Sequence, residues 1–67
     1  MINIRINGNE HVLEKTVDLL GLVKDKGLNV DRVVIEHNLK VVPKDQWAGV
    51  VLQPGDNVEI LSFVGGG

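Results

Sequence analysis

The sequence contains no cysteine, which excludes disulfides, thiolate metal sites and covalent cargo on a thiol side chain. It has only two aromatic residues, Trp47 and Phe63, so a core must be built from Val, Leu and Ile. The acids and bases are scattered and leave a formal net charge of only -2, which argues against nucleic acid or an anionic membrane as a partner. No hydrophobic run reaches transmembrane length and no secretory signal is present, so we expect a cytoplasmic protein.

The composition is that of one small globular domain. The 67 residues are 43% hydrophobic, which is enough for a folded chain without disulfides or a metal. Because a domain of this size buries only about 60% of the surface that its unfolded chain exposes, we expect modest stability.

The N-terminal part predicts a β-hairpin. Isoleucine occupies every second position of residues 2–7, which is the period of a strand with one buried face. Residues 7–9, Asn-Gly-Asn, accept the positive φ angles of a tight turn. Residues 10–15 then return as the antiparallel partner, and we expect Val12 and Leu13 to point inward.

The next segment predicts a helix. Thr16 is the expected N-cap, and apolar residues at helical spacing predict a helix of about 10 residues. Gly27 follows Lys24 and Lys26, which is typical of a helix end because glycine adopts the left-handed cap conformation.

The C-terminal half predicts further strands. Residues 32–37 contain a β-branched run typical of a strand, and residues 40–42 form a short segment after a turn. Residues 43–47 predict one helical turn that begins with proline, and residues 50–52 another short strand. Residues 57–63 alternate again and predict the last strand.

This order of elements, ββαβ(β)β, predicts an α+β fold. One helix and several strands must pack as a helix on one face of a sheet. We therefore predict a β-grasp domain over residues 1–63, with a mixed sheet of four to five strands. Its first and last strands should lie side by side and parallel in the centre. Residues 64–67 are predicted to form a flexible glycine tail.

The tail is the feature that points most directly to chemistry. Val64, Gly65, Gly66 and Gly67 follow the last strand without a spacer. Glycine lets a backbone thread through a narrow channel, so an enzyme could adenylate the Gly67 carboxylate and expose its carbon to a sulfur or nitrogen nucleophile. The alternative reading of a glycine-rich end is an incidental frayed terminus.

Residues 38–67 resemble the sulfur carrier of thiamin thiazole biosynthesis, the ThiS family. The matching segments are Val-Pro-Lys-Asp-Gln-Trp at residues 42–47, Pro-Gly-Asp at 54–56, Val-Glu-Ile at 58–60 and Phe-Val-Gly-Gly-Gly at 63–67. The opening strand and turn at residues 4–8 resemble the family in pattern, so the resemblance spans essentially the whole chain. One departure is Leu39, which stands where the family commonly has glycine.

The resemblance implies a ubiquitin-like β-grasp fold and a carrier role. It implies that an adenylating, E1-like enzyme uses ATP to activate Gly67, while this chain binds no cofactor. A sulfur donor protein would then convert the adenylate to a thiocarboxylate, and thiazole synthase would accept the sulfur. The chain would be a protein co-substrate with no catalytic residue of its own.

The alternation of the last strand also predicts a docking surface. If Val58 and Ile60 face the helix, Leu61 and Phe63 lie on the uncovered face of the sheet beside the tail. Such exposed apolar residues are either incidental or contact the activating enzyme and the acceptor. Trp47, by contrast, is expected to be a packing residue.

The remaining polar residues carry little chemical signal. His11 and His37 lack ligand-like spacing, so no metal site is expected. The acids Asp45, Asp56 and Glu59 have no nucleophile or base beside them and are interpreted as solvated charges.

Several functions fit the glycine tail. Besides thiazole synthesis, the chain could give sulfur to molybdopterin or form an amide with lysine as a ubiquitin-like modifier. A non-covalent interaction module with an incidental tail is the remaining alternative.

Overall fold

The computed structural model describes residues 1–63 and consists of five strands, one α-helix and two 3₁₀ helices. The strands are β1 (Ile2–Ile6), β2 (Asn9–Leu13), β3 (Val33–His37), β4 (Lys40–Val42) and β5 (Asn57–Ser62). The α-helix α1 spans Leu19–Asp25, and the 3₁₀ helices span Val30–Arg32 and Lys44–Gly49.

The strands form one mixed sheet in the order β2-β1-β5-β3-β4. β1 and β5 are parallel neighbours in the middle, with Ile6 opposite Val58, and the other neighbouring strands are antiparallel. A parallel pair needs a long crossover, and α1 lies within that connection. The predicted β-grasp arrangement and the parallel pairing of the first and last strands are therefore confirmed.

One face of the sheet packs on α1 and on the loop that precedes β5. The buried hydrophobic residues are Ile4, Ile6, Leu19, Leu22, Val23, Val33, Ile35, Trp47, Leu52, Val58 and Ile60. Because they come from three strands, both kinds of helix and a loop, each element is stable only when the others are in place. The opposite face of the sheet has no covering element among residues 1–63. We call it the open face.

The hairpin register corrects one expectation. A two-residue loop of Asn7 and Gly8, with φ of 51° and 82°, joins β1 to β2 as the turn residues predict. The resulting register places Val12 opposite Asn3 on the open face, where it is 60% exposed, so its predicted inward position is wrong. Leu13 is half-buried and packs against the core, as expected.

The start of α1 also differs from the prediction. Asp18, not Thr16, is the N-cap, and its carboxylate accepts a hydrogen bond of 2.7 Å from the Gly21 N–H. The helix has seven residues instead of about ten. Its end is as predicted, because Gly27 has a φ of 71° immediately after the last turn.

Residues 50–52 explain why the helix begins late. They form no strand of the sheet, contrary to the prediction, and instead bond to the segment before α1. The Leu52 N–H donates to the Val17 carbonyl at 2.9 Å, and Asp18 and Val51 form an isolated bridge. These contacts hold residues 17 and 18 extended, so helical geometry can start only after them.

The turn between β3 and β4 places a bulky residue in a conformation that favours glycine. Asn38 and Leu39 have φ of 50° and 73°, as a two-residue hairpin turn requires. Asparagine tolerates this region, whereas a Cβ with a branched side chain costs roughly 1–2 kcal/mol there. Leu39 is 82% exposed, so packing offsets little of this cost.

We expect Leu39→Gly to raise the free energy of unfolding by about 0.5–1 kcal/mol. Glycine relieves the backbone strain of the folded state, and its greater conformational entropy in the unfolded state offsets part of that gain. Urea unfolding measures this difference. Leu39→Ala is the matched control, because it removes the side chain but keeps the Cβ. Equal stability of the glycine and alanine variants would contradict the strain at this position.

Asp56 is a buried carboxylate, so its interpretation as a solvated charge is wrong. It is 9% exposed and lies just before β5. The sequence did not indicate its burial, because its partners His37 and Asn38 are far away along the chain. His37 Nε2 lies 2.7 Å from Oδ2, the Gln53 N–H donates to the same oxygen at 2.9 Å, and Asn38 Nδ2 donates to Oδ1 at 3.2 Å. Asp56 therefore joins the β3–β4 turn to the start of β5.

Two opposing effects act on the Asp56 carboxyl. Burial is the largest single one and raises its pKa. The hydrogen bonds from His37, Gln53 and Asn38 together outweigh burial and hold the pKa below its ordinary value of 3.8. A folded pKa below the unfolded one adds stability above the unfolded pKa, and this stability is lost as the pH falls through the folded pKa.

We expect Asp56→Asn to lower the free energy of unfolding by about 1–3 kcal/mol at neutral pH, because buried donors lose their charged acceptor. The difference in free energy of unfolding between wild type and variant should narrow as the pH falls below the ordinary pKa of 3.8 and through the lower folded pKa, where Asp56 becomes protonated. Urea unfolding across this pH range is the measurement. The exposed Asp45→Asn variant should unfold with the same free energy as wild type. A difference for Asp56→Asn that does not depend on pH would contradict the role of Asp56 as a charged hydrogen-bond acceptor.

Candidate functional site

The base of the predicted tail is fixed by the sheet. The Phe63 N–H donates a hydrogen bond of 2.7 Å to the Arg32 carbonyl, which extends the β5–β3 ladder one residue beyond Ser62. Val64, Gly65, Gly66 and Gly67 lie outside the described residues. Their predicted roles, a threading segment and a carboxylate that carries sulfur, stay predictions.

Asn7, the first residue of the hairpin turn, connects the end of β1 to β5. Its side-chain oxygen accepts from the Ile60 N–H at 2.8 Å, and its Nδ2 donates to the Ile60 carbonyl at 3.2 Å. The side-chain amide thus makes the two hydrogen bonds to Ile60 that the backbone of β1 would make if the strand continued. The sequence identified Asn7 only as a turn residue, because nothing local shows that it faces a residue 53 positions away.

The two faces of β5 differ as the alternation predicts. Val58 and Ile60 are buried against the core, whereas Leu61 and Phe63 are 57% and 58% exposed. Leu61 lies on the open face, and Phe63 continues the alternation next to the start of the tail. The predicted exposure is confirmed, and their role in docking stays a prediction.

The structure adds two residues that the sequence reasoning missed. Val34 on β3 lies directly opposite Leu61 on the open face, and Val41 on β4 shares this face and is 64% exposed. The unbroken apolar run of residues 33–35 conceals that Val34 faces away from its neighbours. We call Val34, Val41, Leu61 and Phe63 the apolar patch.

Trp47 is a packing residue, as expected. It is 1% exposed, and its Nε1–H donates to the Val42 carbonyl at 2.8 Å, which satisfies the indole nitrogen. A groove of about 320 Å³ lies beside it, lined mainly by valines together with Asp31 and Lys44. A hydrogen bond from Lys44 and its positive charge hold the pKa of Asp31 below the ordinary range, so this pair offers neither a base nor a nucleophile.

The part of the chain that the structure describes contains neither a metal-binding cluster nor a membrane-spanning helix. No group of three or more His, Cys, Asp or Glu residues there could hold a metal ion. His37 is engaged with Asp56, whereas Asp45 and Glu59 are exposed as predicted. No helix within residues 1–63 is long and apolar enough to cross a membrane.

Comparisons with known proteins place these features in a family. A sequence model of the ThiS family matches residues 3–67. The thiazole synthase of Paramagnetospirillum magneticum is 37% identical over 62 residues, which are 92% of this chain and 19% of that protein. The uncharacterized protein ycf40 of Trieres chinensis is 32% identical over 92% of this chain and 85% of its own length.

Solved structures agree with the sequence comparisons. A crystal structure of the thiamine biosynthesis protein ThiS from Geobacter metallireducens is similar with a TM-score of 0.84 and 25% identity, over 98% of this chain and 100% of that one. A solution structure of a thiamine biosynthesis protein from the same organism gives a TM-score of 0.83 at 25% identity, over 98% of this chain and 88% of that one. The chain spans about a fifth of the length of the thiazole synthases that it matches. Because the family model covers all but the first two residues and the ubiquitin-like β-grasp fold is shared, this chain belongs to the ThiS family.

Proposed function

We propose that this chain carries sulfur for the synthesis of the thiamin thiazole, with the cargo on the carboxylate of Gly67. The observation that carries the proposal is the match of the ThiS family model, which runs through the glycine segment to residue 67. The fixed position of Phe63 supports it, because a strand that ends in a hydrogen bond provides a defined base from which a glycine segment can enter a partner.

The chemistry takes place on the terminal carboxyl carbon. A carboxylate oxygen of Gly67 attacks the α-phosphorus of ATP in an adenylating, E1-like enzyme, and pyrophosphate leaves. A sulfur nucleophile then attacks the acyl carbon, a C–S bond forms, and the bond to the AMP oxygen breaks. With hydrosulfide as nucleophile the products are the thiocarboxylate, AMP and a proton. ATP is a substrate of the partner enzyme, and this chain acts as a co-substrate.

Thiazole synthase is the proposed acceptor of the sulfur. Two proteins with that name, from Paramagnetospirillum magneticum and Magnetococcus marinus, contain a segment similar to this chain within a much longer polypeptide. A carrier and the enzyme that it serves gain a high effective concentration when they are joined, so this arrangement supports a direct partnership. In the cell, a sulfur donor protein would supply the sulfur to the adenylate.

We further propose that Leu61 and Phe63 contact the partner enzymes while residues 64–67 thread into the active site. Both side chains are more than half exposed, and they lie on the uncovered face at the end of the sheet from which the chain continues. Exposed apolar residues next to a reacting group provide binding energy that positions it.

Intact mass spectrometry tests the carrier function. After incubation with ATP, an adenylating enzyme from the same organism and sulfide, we expect exchange of one oxygen for sulfur on the chain. Oxidation of Met1 adds nearly the same mass, so alkylation of the thiocarboxylate and fragmentation must localise the change to Gly67. Deletion of Gly66 and Gly67 should abolish it.

An unchanged mass with an enzyme that adenylates another carrier would overturn the proposal. A lysine conjugate in place of the thiocarboxylate would indicate a ubiquitin-like modifier instead.

Phe63→Asp tests the docking role. A charge in a desolvated contact should raise the KM of the adenylating enzyme for the carrier by about tenfold or more, while the unfolding midpoint stays unchanged because Phe63 is exposed. Pyrophosphate release measures the kinetics. Leu39→Asp is the matched control, since Leu39 is exposed at the opposite end of β3. Loss of the fold in Phe63→Asp, or equal kinetics of both variants, would contradict the docking role.

A further inference from the structure

Two carboxylates face each other on the open face at the centre of the sheet. Glu36 on β3 and Glu59 on β5 are direct cross-strand partners. Like charges in this position are destabilising. Within residues 1–63, no lysine, arginine or histidine nitrogen lies within 4.0 Å of either carboxylate, because the ion pairs there are His37–Asp56 and Lys44–Asp31. The described part of the chain therefore does not neutralise this repulsion.

The surroundings of the two carboxylates are apolar on the side nearer the tail. The next cross-strand pair on the same face is Val34–Leu61, and Val41 lies opposite Glu36 on β4. Glu36 itself is half-buried. A partner that covers the apolar patch would consequently also remove water from at least one of the two carboxylates.

Arg5 does not compensate the pair. It lies on the open face of β1, in register with Asn57 on one side and Glu10 on the other. It is thus one step diagonally from Glu59, and among residues 1–63 no carboxylate lies within 4.0 Å of its guanidinium nitrogens. Its direct cross-strand acid is Glu10, and Glu36 lies two strands away from it on β3.

We propose that the open face binds an apolar protein surface that carries an arginine or lysine side chain, and that this cation lies between Glu36 and Glu59. The partner that we expect is thiazole synthase, and this identity rests on the proposed function. An arginine is well suited, because its planar fork of N–H donors can engage two carboxylates at once. The free chain tolerates the repulsion, and the complex removes it, so the pair selects partners by charge.

Other occupants fit these charges poorly. Nucleic acid would be repelled by two carboxylates. A second copy of this chain would bring the same acidic pair across a two-fold axis, because an isologous interface places like patches together. A hydrophobic partner without a cation would bury Glu36 unpaired, which costs more than the apolar contact gains.

Neutral variants of the two acids test the proposal. We expect Glu36→Gln and Glu59→Gln each to weaken binding of the full chain to thiazole synthase from the same organism by about fivefold, measured by isothermal titration calorimetry at low ionic strength. The affinity of both variants should also depend less on salt than that of wild type. Their unfolding midpoints should be equal to or higher than that of wild type, because the repulsion is gone.

Weaker binding together with an equal or higher unfolding midpoint would show that the two acids act in recognition and not in support of the fold. Asp25→Asn is the matched control, since it removes one exposed charge on α1, on the other side of the sheet, and should leave the affinity unchanged. Unchanged affinity of the Gln variants, affinity and midpoint falling together, or no binding of wild type would overturn the inference. Absence of a thiocarboxylate on Gly67 would overturn the proposed function alone, because the binding experiment does not require sulfur transfer.

Discussion

The parallel pairing of β1 and β5 is the constraint on which the rest of this structure depends. It brings the two ends of the described chain into the centre of one sheet, so every other element is either a neighbour of this pair or part of its crossover. The pair is short, and hydrogen bonds from backbone and side chain extend it. The Arg5 N–H donates to the Asp56 carbonyl at 2.9 Å, and the Asn7 amide engages Ile60 at the other end. A chain of this size achieves its order through such long-range contacts, because local elements this short are marginal alone.

The same pairing determines the accessibility of the functional region. Because β5 is central, its direction carries the chain towards one end of the sheet, and the Phe63 N–H makes a backbone hydrogen bond at the end of the described residues. The short helix α1 covers one face only, and no element among residues 1–63 covers the other. One face of the sheet supplies stability, and the proposed docking role falls on the other. In the proposed function, the reacting carboxylate and the recognition surface are thereby linked by one strand.

The carboxylates of the domain differ in how far the fold itself neutralises them. Asp56 is buried, fully engaged and important for the attachment of the β3–β4 turn to β5. Glu36 and Glu59 are carboxylates of the same chemical type, yet they are cross-strand partners with no cationic side chain of residues 1–63 within 4.0 Å. Hydrogen-bond donors around a carboxylate stabilise a fold, whereas unneutralised charges reduce its stability and favour a complementary partner. Residue type alone does not distinguish these roles.

The sequence by itself determined the elements whose pattern is local. Alternating residues specified β1 and β5, the Asn-Gly turn specified the hairpin, and the same alternation placed Leu61 and Phe63 outside. The glycine segment was assigned a sulfur cargo by resemblance to the ThiS family; the family model confirms the family, and the chemistry of the segment stays a prediction. Only the tertiary structure decided the inward or outward position of Val12, the burial of Asp56 and the meeting of Glu36 with Glu59. Periodicity reports which side of a strand a residue occupies, but register between strands that are far apart in sequence is set by packing of the whole core.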